Sequence, residues 1–114
     1  MSYLNSLHHI NLTPSEPLWK RVPARDAHGN PLSDFMMIIP KLKTKPPEKI
    51  REIVVRIEQI LSDYAKHVVF ADLNLQLNVL WISIKPVPGL ILEVATVINH
   101  HIPEAKLVAQ RVSA

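Results

Sequence analysis

The sequence predicts an α+β domain in which two helices cover one face of an antiparallel sheet. Two observations lead there. Over residues 46–67 the apolar positions Ile50, Ile53, Val54, Ile57, Ile60, Leu61 and Tyr64 recur at three- and four-residue steps, which puts them on one helical face. On either side of that stretch the pattern changes to β-branched and aromatic runs, and a second helical pattern follows later. A helix with one apolar face must bury it against another layer, and the flanking runs supply the strands for that layer.

Residues 1–19 show no sustained period, yet carry large apolar groups: Tyr3, Leu4, Leu7, Ile10, Leu12, Leu18 and Trp19. They are expected to form an extended arm lying on a surface, followed by a single α+β domain over residues 20–114. Residues 20–34 predict a short hairpin, because His28-Gly29-Asn30-Pro31 is turn chemistry and Gly29 and Asn30 tolerate positive φ. Pro23 confines its first arm to an edge. A strand is expected at 35–39 (Phe-Met-Met-Ile-Ile), ended by Pro40.

The first helix is expected over 46–67. Pro46 and Pro47 suit a first turn, Glu48 and Glu52 lie near its positive end, and Lys66 and His67 lie near its negative end. Strands follow at 68–73 and 79–84, joined near Asn74-Leu75-Gln76 in a turn that no glycine marks. Pro86, Pro88 and Gly89 break the chain, and a second helix is expected over 90–101 with Leu90, Ile91, Val94, Val97 and Ile98 on one side. Pro103 stops it, and a last short strand is expected at 105–109.

That order, strand-helix-strand-strand-helix-strand, resembles the ferredoxin-like βαββαβ two-layer sandwich over residues 33–110. The resemblance implies that the first and third strands are central. Those two are the most continuously apolar, and the fourth carries Lys106. A sheet covered on one face alternates apolar and polar residues, whereas Phe35-Met36-Met37-Ile38-Ile39 does not. Both faces of the central strands are therefore expected to be covered, one by the helices and the other by a second copy, the arm, or both. A homodimer follows, with Trp81, Phe35, Met37 and Trp19 as its ligand or partner surface.

Composition removes several functions. The chain has 114 residues, enough for one domain with a core, and 47% of them are hydrophobic, which argues against disorder throughout. With no cysteine, disulfides, thiolate metal sites and cysteine catalysis are excluded. No apolar run reaches the ~20 residues of a membrane span, and residues 1–10 lack the pattern of a signal peptide. A cytoplasmic protein is the expectation. Basic residues crowd at Lys41, Lys43, Lys45, Lys49 and Arg51, a candidate anion patch that Glu48 and Glu52 dilute.

The 6 histidines invite a metal reading, but no His-x-His or His-x-x-x-His occurs. His100 and His101 are the candidates, needing His8, His9 or His67 to meet them; otherwise they end the second helix beside its last carbonyls. Asp63 and His67, a turn apart, read as a surface pair, and neither Ser62 nor Ser83 sits in a nucleophile elbow. The third strand, Val79-Leu80-Trp81-Ile82-Ser83-Ile84, lacks the glycine and paired aromatics of RNA-recognition modules, which argues against nucleic acid. The Cys-x-x-Cys of heavy-metal-associated domains is missing. Pro40 to Pro47 is rich in lysine and proline where amino-acid-sensing ACT domains carry a glycine-bearing ligand loop.

The expectation is a non-catalytic binding or regulatory module, a homodimer contacting a protein partner or small ligand through its sheet face. The sequence names no cofactor. Two alternatives come from other classes: a small dimeric enzyme with a cleft lined by Trp81, Asp72 and a histidine, and a histidine-based metal-binding protein.

Overall fold

The structure is a computed structural model and describes residues 25–111. Among them, strands β1 (Ser33–Ile38), β2 (Val68–Asn74), β3 (Val79–Ile84) and β4 (Lys106–Arg111) form one sheet in the order β2-β3-β1-β4, every pair antiparallel. Helix α1 (Pro47–Ser62) follows β1 through a short 3-10 turn (Leu42–Thr44), and α2 (Leu90–His101) connects β3 to β4. The fold is therefore α+β, with β1 and β3 central. The arm expected over residues 1–19 lies outside the described residues, as do residues 20–24 of the expected hairpin.

The helical spacing read from the sequence buries Ile53, Ile57, Ile60 and Leu61 on α1 and Leu90, Ile91, Val94, Ala95 and Ile98 on α2. Against them pack Phe35, Met37 and Ile39 from the β1 segment, Ala71 and Leu73 from β2, and Leu80, Ile82 and Ile84 from β3. Burying each large side chain contributes roughly 1.5–3 kcal/mol, so this seam between helices and sheet is the main stabilising layer.

α1 stops at Ser62, five residues short of the expected His67. Over residues 63–67 the hydrogen bonds tighten from i+4 to i+3: Tyr64 N–H donates to Leu61 O, Ala65 N–H to Ser62 O, and His67 N–H to Tyr64 O. Tyr64 still reaches the core from this turn, and its hydroxyl donates to Glu93 Oε2 at 2.8 Å, tying the end of α1 to α2. Burial, and then the hydrogen bond to Glu93, hold the Tyr64 phenol above its ordinary pKa. α2 has the expected bounds. It starts at Gly89, whose φ of 79° is left-handed; a Cβ there would meet nothing within 4 Å, so backbone conformation alone requires the glycine. β4 runs to Arg111, beyond the expected end at residue 109.

Three irregularities set the details. In β2 the register shifts between Val68 and Phe70, so Val68 faces the core while Phe70 turns to the other face. In β4 it shifts opposite Met36 and Met37, leaving Val108 as the exposed extra residue. The β2–β3 turn, which lacks glycine, uses Asn78 at φ 58°. Asn78 Oδ1 accepts the Lys43 N–H at 2.8 Å, its carbonyl accepts the Ile39 N–H at 2.7 Å, and Asn74 Oδ1 accepts the Leu77 N–H at 3.0 Å. One asparagine thus closes the hairpin and fastens it to the end of β1.

The expected turn at residues 28–31 is present, with an antiparallel bridge between Arg25 and Pro31. Gly29 has φ 82°, whereas Asn30 does not use the left-handed region. Asp26 organises the turn, because its carboxylate accepts the N–H groups of His28 and Asn30 at 2.9 Å each.

Two predictions follow from these joints. Asn78→Ala should cost about 1–2 kcal/mol, from left-handed strain and the lost side-chain bond, and Asn78→Gly less, as read from urea midpoints. The Asp26 carboxyl lies below its ordinary value of 3.8, chiefly because it accepts the Asn30 N–H and also the His28 N–H. A lowered folded pKa contributes order that is complete above 3.8 and lost as pH falls through the folded value. Amide exchange at His28 and Asn30 should therefore speed up at strongly acidic pH before the sheet amides respond.

Candidate functional site

The candidate site is the sheet face turned away from α1 and α2. Strand alternation and register arrange it in three rows running across the sheet from β2 to β4. The first is Phe70, Ser83, Asp34 and Arg111; the second is Asp72, Trp81, Met36 and Ala109; the third is Asn74, Val79, Ile38 and Lys106. None of these residues belongs to the core cluster beneath the helices.

The face is apolar at its centre. Met36, Ile38 and Trp81 are half-buried there and Val79 is buried, which places a thioether, two branched aliphatic groups and an indole side by side. Around them stand polar groups that are unusually well buried: Asp34 at 5% exposure, Asp72 at 0% and Ser83 at 0%. Asp34 Oδ2 accepts a charge-assisted hydrogen bond from Arg111 Nη2 across β1 and β4. Two further polar atoms, Trp81 Nε1 and Ser83 Oγ, are buried and find no hydrogen-bond partner among the described residues. They sit two residues apart on one face of β3, about 7 Å apart along the strand. Both can donate, so together they offer hydrogen bonds to an acceptor lying on the sheet.

The expected surface residues divide. Trp81 lies on this face, whereas Phe35 and Met37 are about 1% exposed and face the helices within the core. The alternation of β1 exchanges them for Met36 and Ile38 as partners of Trp81. Trp19 lies outside the described residues. Asp34, Ser83 and Arg111 were missed as site residues, because their neighbourhood exists only through the pairing of β1 with β3 and β4. The one available signal was a carboxylate standing directly before an apolar strand.

The basic cluster is partly neutralised. Lys41 (φ 64°) and Lys43 are exposed, but Lys45 Nζ lies 3.4 Å from Glu104 Oε2. The Glu104 carboxyl is held below its ordinary range, first by its own backbone N–H and then by Lys45. Lys49 pairs with Glu52 at 3.4 Å. His100 and His101 end α2 with their rings edge to face at 5.3 Å, and Arg56 Nη1 lies 3.3 Å from His101 Nδ1. Guanidinium can only donate, so His101 Nδ1 is the acceptor in that contact. Among the described residues no group of three or more His, Asp or Glu side chains could hold a metal ion, and no helix is long and apolar enough to cross a membrane. No histidine stands in the three rows with Trp81 and Asp72.

Cavities among the described residues lie elsewhere, including an open one of about 500 Å³ on the outer side of α1 beside Glu48, Arg51 and Gln59. One of about 290 Å³ sits at the start of α2 between Lys85, Val87, Ile91 and Gln110, and one of about 240 Å³ lies between the helices beside Arg56, His101 and Glu104.

Arg111→Ala should leave the buried Asp34 carboxylate without this guanidinium. Because Arg111 is itself 62% exposed, the loss should be about 1 kcal/mol, below the range for fully buried charged bonds. Denaturant midpoints should show it, with a smaller difference at high salt and a smaller loss for Arg111→Lys. Compared with protein-family models, with curated proteins and with solved structures, the chain has no match.

Proposed function

We propose that the chain is a ferredoxin-like domain with an N-terminal arm and works as a cytoplasmic, non-catalytic binding or regulatory module. It acts as a homodimer through the open sheet face and contacts a protein partner or small ligand there. The observation that carries this reading is the apolar centre of that face, Met36, Ile38, Val79 and Trp81, on the side where neither helix packs. Tryptophan and methionine are enriched in contact surfaces, and an indole can anchor one through a large apolar area and a single N–H. Trp81 Nε1 and Ser83 Oγ, which have no partner among the described residues, favour an occupant that brings acceptors, such as backbone carbonyls or a carboxylate.

Light scattering during size exclusion tests the dimer. At micromolar concentration the chain should run at twice its mass. Trp81→Lys combined with Met36→Asp should give a monomer, with helix content by circular dichroism unchanged. A wild-type monomer under those conditions overturns the dimer.

A further inference from the structure

Among the described residues five large apolar side chains stay exposed, and two of them, Val87 (42%) and Leu92 (66%), stand together at the cavity of about 290 Å³ by the start of α2. Its floor is Ile84 of β3 and Ile91 of α2, both members of the core between the helices and the sheet. The cavity is therefore on the helix side of the sheet, away from the open face that carries Trp81.

The loop from β3 to α2 forms its wall, and that loop is stiff. Pro86 and Pro88 each fix a φ angle. Val87 N–H donates to Lys85 O at 2.8 Å, and Leu90 N–H donates to Val87 O at 3.1 Å. A cavity already held in shape loses little free energy to ordering when it is filled.

We infer that this cavity binds a small carboxylate with an apolar body, of the size of a medium-chain fatty acid. Its volume corresponds to about ten water-sized groups at ~30 Å³ each, which suits a small molecule. Lys85 is the one charged residue among the ten that line it. Lys85 has no ion pair or side-chain hydrogen bond among the described residues, so its ammonium is available to an anion. The Gln110 amide, also in the lining, can donate as well. With no acidic residue in the lining, a cationic ligand finds no counter-charge there. The apolar body then displaces water from Ile84, Val87, Ile91 and Leu92, while the carboxylate stays at the mouth beside Lys85.

The site does not depend on the open face or on a dimer. Titration of the full-length, methyl-labelled chain with octanoate, below its micellar range, tests it by nuclear magnetic resonance. Methyl signals of Ile84, Val87, Ile91 and Leu92 should shift saturably, while those of Met36 and Ile38 stay in place. Lys85 is exposed, so Lys85→Glu keeps the fold and should weaken octanoate about five- to tenfold. Octan-1-ol, the same body without the charge, should bind the wild type more weakly than octanoate does and should not respond to Lys85→Glu. Val87→Asp, at an exposed position, should weaken both probes.

Absence of saturable shifts at the four methyl-bearing residues overturns the site, as do shifts confined to Met36, Ile38 and other residues of the open face. Equal binding of octanoate and octan-1-ol, with Lys85→Glu without effect on either, overturns the carboxylate as the ligand's headgroup. A monomer by light scattering with the methyl shifts intact refutes the dimer proposed above and supports this site, so the two readings fail separately.

Discussion

The parity of β1 is the constraint on which the rest of the structure depends. It is hydrogen-bonded on both sides, to β3 and to β4, so its alternation decides what each face of the sheet contains. Phe35 and Met37 go under the helices; Asp34, Met36 and Ile38 go to the other side. A shift of one residue would put Asp34 and Met36 beneath α1 and α2 and turn Phe35 outward. The two bulges preserve this parity where the neighbouring sequences would break it. Val69 is absorbed so that Val68 and Phe70 take opposite faces, and Val108 is absorbed so that Leu107 packs on the core while Ala109 does not.

Fixed parity makes polar groups on the open face meaningful. Asp34 and Ser83 are register partners, as are Asp72 and Trp81. A buried carboxylate is disfavoured unless it is hydrogen-bonded or paired, and the half-exposed Arg111 supplies one such partner for Asp34 from the neighbouring strand. The pair also opposes register slip, because sliding β4 against β1 would separate the guanidinium from the carboxylate. The basic turn after β1 is likewise organised by the fold: Lys45 is drawn to Glu104 and the backbone of Lys43 to Asn78, so its charges are spread over different neighbours.

The elements were legible in the sequence because periodicity reports burial directly. The α1 face, the α2 bounds and the β3 bounds all appeared in the spacing of Ile, Leu and Val. What the spacing missed has a physical pattern. The end of α1 was obscured because Tyr64 keeps its contact with the core from a turn that has already left the helix. The β2–β3 turn was hard to place because Asn78 does what glycine more often does. Phe35 and Met37 belong to the core and not to the surface, a distinction the spacing does not carry because a strand apolar on both faces does not say which parity meets the helices. The site itself was the least legible part. Trp81 and Asp72 stood out by type and do meet as register partners, but Asp34 and Met36 come from β1 and are gathered beside them only by register.

The two edges of the sheet differ in a way that bears on how it associates. An edge strand invites pairing with another chain, and β4 carries the usual deterrents: Lys106 and Arg111 as charged residues, and the bulge at Val108, which is 52% exposed and interrupts the ladder. Growth of the sheet through β4 would have to straighten that bulge and bring like charges together. The face beside it carries no such deterrent at its centre, since Met36 and Ile38 are apolar, half-buried and adjacent to Trp81. Association by stacking face on face leaves the β4 ladder undisturbed and removes apolar area from water at about 25 cal/mol per Å². Packed sheets stand about 10 Å apart, a gap that side chains the size of methionine, isoleucine and tryptophan fill from both sides. The chemistry of the edge and of the face therefore favours the same mode of contact.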